Sequence, residues 1–444
     1  MLSNVPSGAV GITQCTCAYS GIPKAHGRRL KQYHREANLT DKPLRIGILT
    51  HLKHPVRQPF AGGLEAFTYD VTLALRKRGH EVTLFASSDS APELEAIAIL
   101  DDESYGDDGN RGPKEAFFEE YLNEHKAYMD CMQRIDSHGF DVIFNNALHY
   151  VPLMMAALIK TPMLTVLHTP PFFEMQNAIK AAAAHGNRNR FCTVSDANAG
   201  SWRPWVPHCD VIPNGIDLNL WHAISHRFGD DDSAFALRHR AGNVQGSVKV
   251  SAAAGVQAIS KNLPTEDSAG RTAIWFGRLV RDKGPHLAMD AARLAGLSIE
   301  LAGQASDSAY FAQEIAPRLS DTAVYLGHLD RDALVARVQA ASVALVTPCW
   351  DEPFGLVVAE ALACGTPVAA FGRGAIPQLL TPRTGVVAPP GDVHALAAAA
   401  LAALTLDRNA CRAAAVQLWS LDAMVHQYEI LLRQLVARSV PENA

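Results

Sequence analysis

Two glutamates, Glu352 and Glu360, lie eight positions apart within the sequence EPFGLVVAEALACGTPV. The Pro-Phe-Gly turn after Glu352 predicts a helix that begins near Leu356 and has Gly365 at its C-terminal cap. Glu360 would then lie among Ala, Leu and Val, where a carboxylate costs free energy unless it is hydrogen-bonded. Ligand hydroxyls would provide those hydrogen bonds, and so would a neighbouring Arg or Lys. The pattern therefore predicts either a binding site for a hydroxyl-bearing ligand or an internal ion pair.

Two cations, Arg278 and Lys283, lie in the segment GRLVRDKG, directly after the apolar run Thr272–Phe276. Arg offers a planar fork for phosphate oxygens and Lys a compact point charge, so together they suit a diphosphate. Surface salt bridges are the alternative. We favour the ligand interpretation because both cations follow a run that is typical of a buried strand.

A glycine pair, Gly62 and Gly63, lies in the segment AGGLE, between the first apolar run and the first helical pattern. Glycines there let backbone N–H groups approach an anion, and the start of a helix adds partial positive charge. A plain tight turn is the alternative. In α/β sheets, however, ligands gather at the carboxyl ends of the strands, where this loop would lie.

All three segments require an α/β scaffold with parallel strands. The run Arg45–Thr50, the helical pattern from Leu64 to Leu75 and the run Val82–Ala86 predict a βαβ unit. A break rich in Gly, Ser and Ala, residues 228–270, separates two series of strand-like runs. The further runs are Val142–Phe144, Met163–Leu167, Phe191–Val194 and Val211–Pro213 before the break, and Thr272–Phe276, Ile299–Ala302, Val324–Leu326, Val343–Val346, Pro367–Ala370 and Gly385–Val387 after it. We therefore expect two parallel sheets, followed by an amphipathic helix over Leu418–Leu435 that packs back across their junction.

Composition excludes several classes of protein. The chain has 444 residues, enough for two or three domains, and a net charge of −5, which provides no basic field for nucleic acid. Its apolar runs are too short to span a membrane, and the first 20 residues lack a secretory signal pattern, so we expect a cytosolic protein. The eight cysteines lack zinc-site spacing. Residues 1–44 are expected to be a disordered tail, whose small basic cluster leaves peripheral membrane contact as an alternative.

In combination, the Glu-x7-Glu block, GRLVRDKG, VIPNGIDL at residues 211–218 and the AGGLE loop resemble the retaining glycosyltransferases of family 4. The resemblance covers about residues 45–440 and leaves out the tail and the 228–270 segment. It implies the GT-B fold, an α/β architecture in which two Rossmann-like parallel-sheet domains face a cleft. The implied domains are 45–217 with 419–444, on the acceptor side, and 218–418, which binds the nucleotide sugar.

The resemblance also implies roles for particular residues. Glu360 would hold the ribose hydroxyls, Glu352 would contact the donor sugar, and Arg278 and Lys283 would clamp the diphosphate. The implied donor-binding residues are Gly62, Gly63, Arg278, Lys283, Glu352, Phe354, Gly355, Leu356 and Glu360, and the implied catalytic residues are Glu352, His149, Arg278 and Lys283.

A histidine of the first domain often touches the donor sugar in this family. His149, after the run Val142–Phe144, is the match that we favour, and His168 is a competing candidate. Either histidine could instead have a structural role.

The expected function is transfer of a hexose from a nucleotide diphosphate sugar to the hydroxyl of a glycan, lipid or small molecule, with retention of anomeric configuration. The nucleotide sugar is a co-substrate, and no cofactor or metal is expected, because cations and helix N-termini can stabilise a leaving diphosphate. A GT-B nucleotide-sugar epimerase and a non-catalytic nucleotide-sugar-binding protein are the alternatives.

Overall fold

A computed structural model describes residues 42–101, 113–184, 189–222 and 272–439 of the chain. The predicted 228–270 insertion and nearly all of the predicted tail lie outside these residues, so both interpretations stay predictions. The proposed division into domains likewise stays a prediction.

The first half of the described chain forms a parallel sheet of seven strands in the order β3-β2-β1-β4-β5-β6-β7. The strands are β1 Arg45–Leu49, β2 Glu81–Ser87, β3 Ile97–Leu100, β4 Val142–Asn145, β5 Met163–Leu167, β6 Asn189–Thr193 and β7 Asp210–Val211. The helices between them are α1 Gly63–Lys77, α2 Pro113–Arg134, α3 Tyr150–Met155, α4 Phe173–Ala184 and α5 Asp196–Trp202.

The second half forms a parallel sheet of six strands in the order β10-β9-β8-β11-β12-β13. The strands are β8 Thr272–Phe276, β9 Ser298–Ala302, β10 Ala323–Tyr325, β11 Val343–Val346, β12 Val368–Phe371 and β13 Gly385–Ala388. The helices are α6 Pro285–Ala295, α7 Ser308–Tyr310, α8 Arg331–Ala340, α9 Leu356–Ala363, α10 Ile376–Leu379, α11 Val393–Ala403, α12 Arg408–Leu418 and α13 Leu421–Ser439.

The predicted fold class is confirmed: both sheets are parallel, and every predicted strand run overlaps an observed strand. Strands β4 and β5 are buried along their whole length, as is usual for parallel strands covered by helices on both faces. Strand β3 was not predicted, although its four residues are all apolar. It lies at the edge of its sheet, and Ile97 at its start is 41% exposed.

The C-terminal helix α13 packs on the first sheet, although it follows the second sheet in the chain. Its buried Tyr428 ring lies 5.9 Å from the ring of Phe67 on α1 and 5.0 Å from that of Phe144 on β4, measured between centroids. Arg78, just after α1, donates to Asp422 at 2.6 Å and to Glu429 at 3.2 Å. The expected return of this helix to the first half is therefore confirmed.

The chain reaches α13 through a tight backbone contact between the two halves. The Ile216 N–H donates to the Trp419 carbonyl at 2.9 Å, and the Leu421 N–H donates to the Ile216 carbonyl at 3.0 Å. A Cβ atom at Gly215 would lie 2.5 Å from the Ser420 carbonyl oxygen. The glycine of the VIPNGIDL motif thus lets the two segments approach.

Across the described parts of the chain, every helix is too short or too polar to cross a membrane.

Candidate functional site

A cavity of about 430 Å³ lies between the carboxyl ends of the two sheets. His51, His168 and Asn214 line it from loops that follow strands of the first sheet, and Gly277 and Thr347 line it from loops of the second. Parallel strands bring the loops that follow them to one edge of a sheet, so residues distant in sequence meet here.

The structure brings nine of the ten predicted site residues to this cavity. They are Gly62, Gly63, Arg278, Lys283, Glu352, Phe354, Gly355, Leu356 and Glu360. His149 is not among the described residues that line it. Nine residues predicted from the motifs and from the family resemblance therefore lie around one cavity, and their roles stay predictions.

His149 has a structural position instead. Its Nδ1 accepts a hydrogen bond from the Val151 N–H at 3.2 Å and so caps α3, and the residue is 7% exposed. Burial lowers its pKa to about 3. The competing candidate, His168, does line the cavity; its Nε2 lies 2.7 Å from Oδ1 of Asn146, and burial lowers its pKa to about 3 as well. By placement, His168 is the better candidate for contact with a ligand.

Glu352 and Lys283 form an ion pair within the cavity. The Lys283 ammonium lies 2.7 Å from Oε2 of Glu352 and 4.9 Å from the centre of the Trp350 ring. The Trp350 indole N–H donates to the same carboxylate oxygen at 2.9 Å. Two donors thus fix Glu352, and Lys283 is held in place without a ligand.

Glu360 and Arg278 have no such partners. Among the described residues, neither the Glu360 carboxylate nor the Arg278 guanidinium makes a hydrogen bond or ion pair within the distance limits of these interactions. Burial raises the pKa of Glu360 to about 7, with the nearby Arg331 opposing the shift. The cavity therefore presents one carboxylate and one guanidinium whose hydrogen-bonding capacity is unused.

The start of helix α9 also borders the cavity. Gly355, with φ of +99°, precedes this helix, and Gly355, Leu356 and Val357 all line the space. A Cβ atom at Gly355 would lie 2.6 Å from Cδ1 of Ile376. Glycine is therefore required here both for the left-handed backbone conformation and for the close packing. The first N–H groups of a helix attract anions, which suits a phosphate or a polarised hydroxyl.

The glycine pair contacts the second half of the chain directly. A Cβ atom at Gly63 would lie 2.7 Å from Cδ1 of Leu356, and one at Gly62 would lie 3.8 Å from Nε of Arg278. The AGGLE loop thus lies against both the start of α9 and the unpaired guanidinium.

A second ion pair joins the two halves at the margin of the cavity. The two terminal nitrogens of Arg331 each donate to one carboxylate oxygen of Asp70 at 2.7 Å. The Arg331 guanidinium also lies 4.5 Å from the centre of the Phe60 ring, and His328 Nε2 lies 3.0 Å from the Phe60 carbonyl oxygen. Burial raises the pKa of Asp70 despite the bidentate contact.

The described parts of the chain contain no cluster of His, Cys, Asp and Glu that could hold a metal ion.

Comparison with known domains fits this geometry. Residues 61–220 match the family model of Glycosyltransferase Family 4, and residues 259–417 match that of Glycosyl transferases group 1. The chain has the GT-B glycosyltransferase fold. Each matched segment supplies residues to one wall of the cavity, so the site lies between the two matched segments.

Two curated relatives of this GT-B chain are a glycogen synthase and a D-inositol 3-phosphate glycosyltransferase. It is 35% identical to the glycogen synthase of Mycobacterium tuberculosis over 133 residues, which are 28% of this chain and 32% of that protein. It is 33% identical to the D-inositol 3-phosphate glycosyltransferase of Mycolicibacterium paratuberculosis over 178 residues, 36% of this chain and 40% of that protein. The chain thus spans about a third to two fifths of the length of these relatives.

Solved structures with the same fold are more distant in sequence. The sucrose-phosphate synthase from Thermosynechococcus elongatus aligns with a TM-score of 0.64 and 21% identity over 89% of this chain and 100% of its own. The complex of Anabaena HepE with UDP-glucose aligns with a TM-score of 0.62 and 20% identity, over 88% of this chain and 100% of its own. At these identities the likeness establishes the fold alone.

The sequence analysis missed several residues of the GT-B cleft. The AGGLE segment itself contains Glu65, and its position in the first turn of α1 could have pointed to the cavity. Arg331 and Asp70 gave no signal, because they are 261 positions apart and neither belongs to a motif.

Proposed function

We propose that this GT-B chain is a retaining, family 4 glycosyltransferase that moves a hexose from a nucleoside diphosphate sugar to an acceptor hydroxyl. One observation supports this most directly: the Glu360 carboxylate and the Arg278 guanidinium, both without a partner among the described residues, line the same cavity as the start of α9. A nucleoside diphosphate carries a ribose diol and two phosphates, and these are the groups that such a set of partners would bind.

In this proposal, Glu360 accepts hydrogen bonds from the ribose hydroxyls, which replace the water lost on burial. Arg278 and Lys283 bind the diphosphate, and Lys283 exchanges its ion pair with Glu352 for a phosphate oxygen. Glu352 is then released to accept a hydrogen bond from a hydroxyl of the donor sugar. Because the Lys283 ammonium already lies 2.7 Å from the Glu352 carboxylate, one movement of Lys283 both brings it to the phosphate and releases Glu352 for the sugar hydroxyl.

The chemical step breaks the bond between the anomeric carbon and the phosphate oxygen, and its electron pair leaves with the diphosphate. The acceptor oxygen forms the new bond on the same face of the sugar, and its proton passes to the departing phosphate oxygen. Arg278, Lys283 and the first N–H groups of α9 stabilise the charge that develops there. The glycine pair closes on the diphosphate from the other half. We propose that this set of donors makes a metal ion and a cofactor unnecessary.

The acceptor would bind to the first half of the chain, which matches the family 4 model. The names of the curated relatives make glycogen and D-inositol 3-phosphate reasonable acceptors to test. UDP-glucose is the first donor to test, since HepE was solved with it.

Thermal stabilisation and transfer assays test this proposal together. The wild type would be melted with UDP, GDP, ADP and their hexose conjugates, and each conjugate that stabilises it would be incubated with glycogen and with D-inositol 3-phosphate. A ligand that binds only the folded state at 100 times its Kd adds about 2.7 kcal/mol of stability. We expect stabilisation by one nucleotide series, loss of it in Glu360→Ala and Arg278→Ala, and an α- or β-linked product that retains the donor's anomeric configuration.

Glu300→Gln is the matched control, since Glu300 lies on β9 in the same half, pairs with Arg337 and does not line the cavity. A folded wild type that no nucleotide sugar stabilises would overturn the proposal. Binding followed by interconversion of sugar epimers, without transfer, would favour the epimerase instead.

A further inference from the structure

His51 and Glu65 lie side by side on the wall of the cavity that the first half of the chain forms. His51 is in the loop after β1, Glu65 is in the first turn of α1, and both line the cavity. Nδ1 of His51 is 3.7 Å from Oε1 of Glu65. This is an ion-pair distance, longer than a hydrogen bond, of the kind that shortens when a substrate fills an active site.

Glu65 is a buried carboxylate that stays ionised. The residue is 5% exposed, and burial by itself would raise its pKa. The neighbouring His51 side chain outweighs burial, so the pKa of Glu65 lies below its ordinary value. A negative charge is therefore fixed behind the imidazole ring.

The ring of His51 is oriented by this charge. Its Nδ1 is a buried atom next to Glu65, whereas the side chain as a whole is 23% exposed and lines the cavity. Nε2, unlike Nδ1, is not a buried atom, and among the described residues it makes no hydrogen bond, so it is accessible on a side chain that lines the cavity. A carboxylate beside Nδ1 keeps the proton on that nitrogen and leaves Nε2 with a free lone pair.

The pair lies next to the proposed diphosphate clamp. A Cβ atom at Gly62 would lie 3.1 Å from Oε2 of Glu65 and 3.8 Å from Nε of Arg278, so both side chains flank the same backbone position. His54, three positions after His51, also lines the cavity, and its surroundings include Glu65, His51 and Arg278. The His51–Glu65 pair thus lies beside the proposed diphosphate clamp, on the wall of the cavity that the first half forms.

The two histidines that the sequence offered as candidates are already engaged. His168 Nε2 is occupied by Asn146, and His149 Nδ1 caps α3 outside the cavity. His51 instead combines a buried carboxylate partner with an accessible ring nitrogen that makes no hydrogen bond among the described residues.

We propose that His51, oriented by Glu65, binds the attacking hydroxyl of the acceptor. This inference rests on the proposed function and adds the acceptor side of the site. The acceptor O–H donates a hydrogen bond to Nε2 of His51, which directs an oxygen lone pair at the anomeric carbon. As the bond to the diphosphate breaks and the new C–O bond forms, this O–H turns away from Nε2, and its proton passes to the departing phosphate oxygen. The ligand class is a neutral polyol or sugar hydroxyl.

The test separates acceptor kinetics from donor binding. The probes are UDP-glucose as donor and maltotriose and myo-inositol as hydroxyl-bearing acceptors. The variants are His51→Phe, which removes Nε2, His51→Gln, whose amide oxygen can replace it, and Glu65→Gln. Because one hydrogen bond is lost, we expect His51→Phe to raise the acceptor KM about tenfold to a hundredfold. His51→Gln should recover part of this loss, and the affinity for UDP-glucose should stay within about twofold of the wild type.

His208→Phe is the control, since His208 is exposed, belongs to the same half and does not line the cavity. Unchanged acceptor kinetics in His51→Phe would overturn the inference, and so would an equal loss of donor and acceptor binding, which would indicate a structural role. If Glu65→Gln fails to fold, the two His51 variants still decide. A wild type that binds no nucleotide sugar would instead refute the proposed function, and this outcome is visible before any acceptor is added.

Discussion

Replacing Arg331 by Ala should destabilise this protein more than replacing its partner Asp70 by Asn. The two side chains, 14% and 17% exposed, form a bidentate contact with both distances at 2.7 Å. Without Arg331, a largely buried carboxylate loses its main partner. With Asn at position 70, the amide oxygen still accepts a hydrogen bond, and the guanidinium still lies over the Phe60 ring.

The expected loss of stability in each variant follows from how deeply the ion pair is buried. Breaking a fully buried pair costs about 3–5 kcal/mol, and the residual exposure of these side chains lowers the expectation for Arg331→Ala to about 2–4 kcal/mol. Asp70→Asn should cost about 1–2 kcal/mol, because a charge-assisted hydrogen bond is replaced by a neutral one. The double variant Asp70→Asn/Arg331→Met removes both charges and should cost only about 0–1 kcal/mol.

The pH dependence gives an independent check. Burial raises the pKa of Asp70 above its ordinary value, so the folded state binds a proton more readily than the unfolded state does. For a raised pKa of this kind, the favourable contribution belongs to the protonated form and is lost as pH rises through the folded-state pKa. Removing Arg331 raises that pKa further. The Arg331→Ala defect should therefore be largest near neutral pH and should shrink as the solution is acidified.

Urea unfolding followed by tryptophan fluorescence, at neutral and mildly acidic pH, would measure these differences. Arg57→Ala is the matched control, since Arg57 and Asp89 form an ion pair at 3.5 Å with side chains 52% and 54% exposed. It should change stability by less than about 1 kcal/mol. If Arg331→Ala matched this control, or if Asp70→Asn proved the more damaging change, the reasoning would be refuted.

Three further predictions concern the cavity. Because only an ionised Glu360 accepts both ribose hydrogen bonds and its pKa is about 7, the affinity for UDP-glucose by calorimetry should rise with pH up to 7 and then level off. Well below pH 7 the affinity should rise about tenfold per pH unit, and Glu360→Gln should abolish this rise. An affinity of the wild type that does not change with pH would contradict the prediction. Lys283→Met should weaken UDP-glucose binding at least about tenfold, and a binding isotherm like that of the wild type would show that Lys283 stays with Glu352. Gly303→Ala should lower the free energy of unfolding by at least about 2 kcal/mol in urea, because the new Cβ atom would lie 1.8 Å from the Gly277 carbonyl oxygen. Gly79→Ala is the control and should cost less stability, since nothing lies within 4 Å of its Cβ position.

Local patterns were sufficient for much of the fold. Strands such as Thr272–Phe276 and Met163–Leu167 were predicted with their observed bounds, because parallel strands buried on both faces are short continuous apolar runs. Strand β3 was missed although all four of its residues are apolar; it lies at the sheet edge, and only Leu100 in it is buried. The helix that begins at Leu356 was predicted because a glycine turn and an apolar helical pattern are both local signals.

The sequence by itself determined which residues are available for chemistry. Glu352, Glu360, Arg278, Lys283 and the glycine pair at 62–63 were found from residue type and from position after a strand, and the loops of parallel sheets bring such positions to one edge. Their pairing was open from spacing alone: the structure joins Lys283 to Glu352 and leaves Glu360 without a partner.

Only the tertiary structure decided which histidine faces the cavity and which residues of the two halves meet. His149 and His168 both follow strands, but the first is buried and caps α3, whereas the second lines the cavity. Arg331 reaches Asp70 across 261 positions of sequence. Such contacts depend on how the two sheets are placed against each other, and burial raises the pKa of both Glu360 and Asp70. Desolvation is a property of the assembled cavity, so no local pattern encodes it.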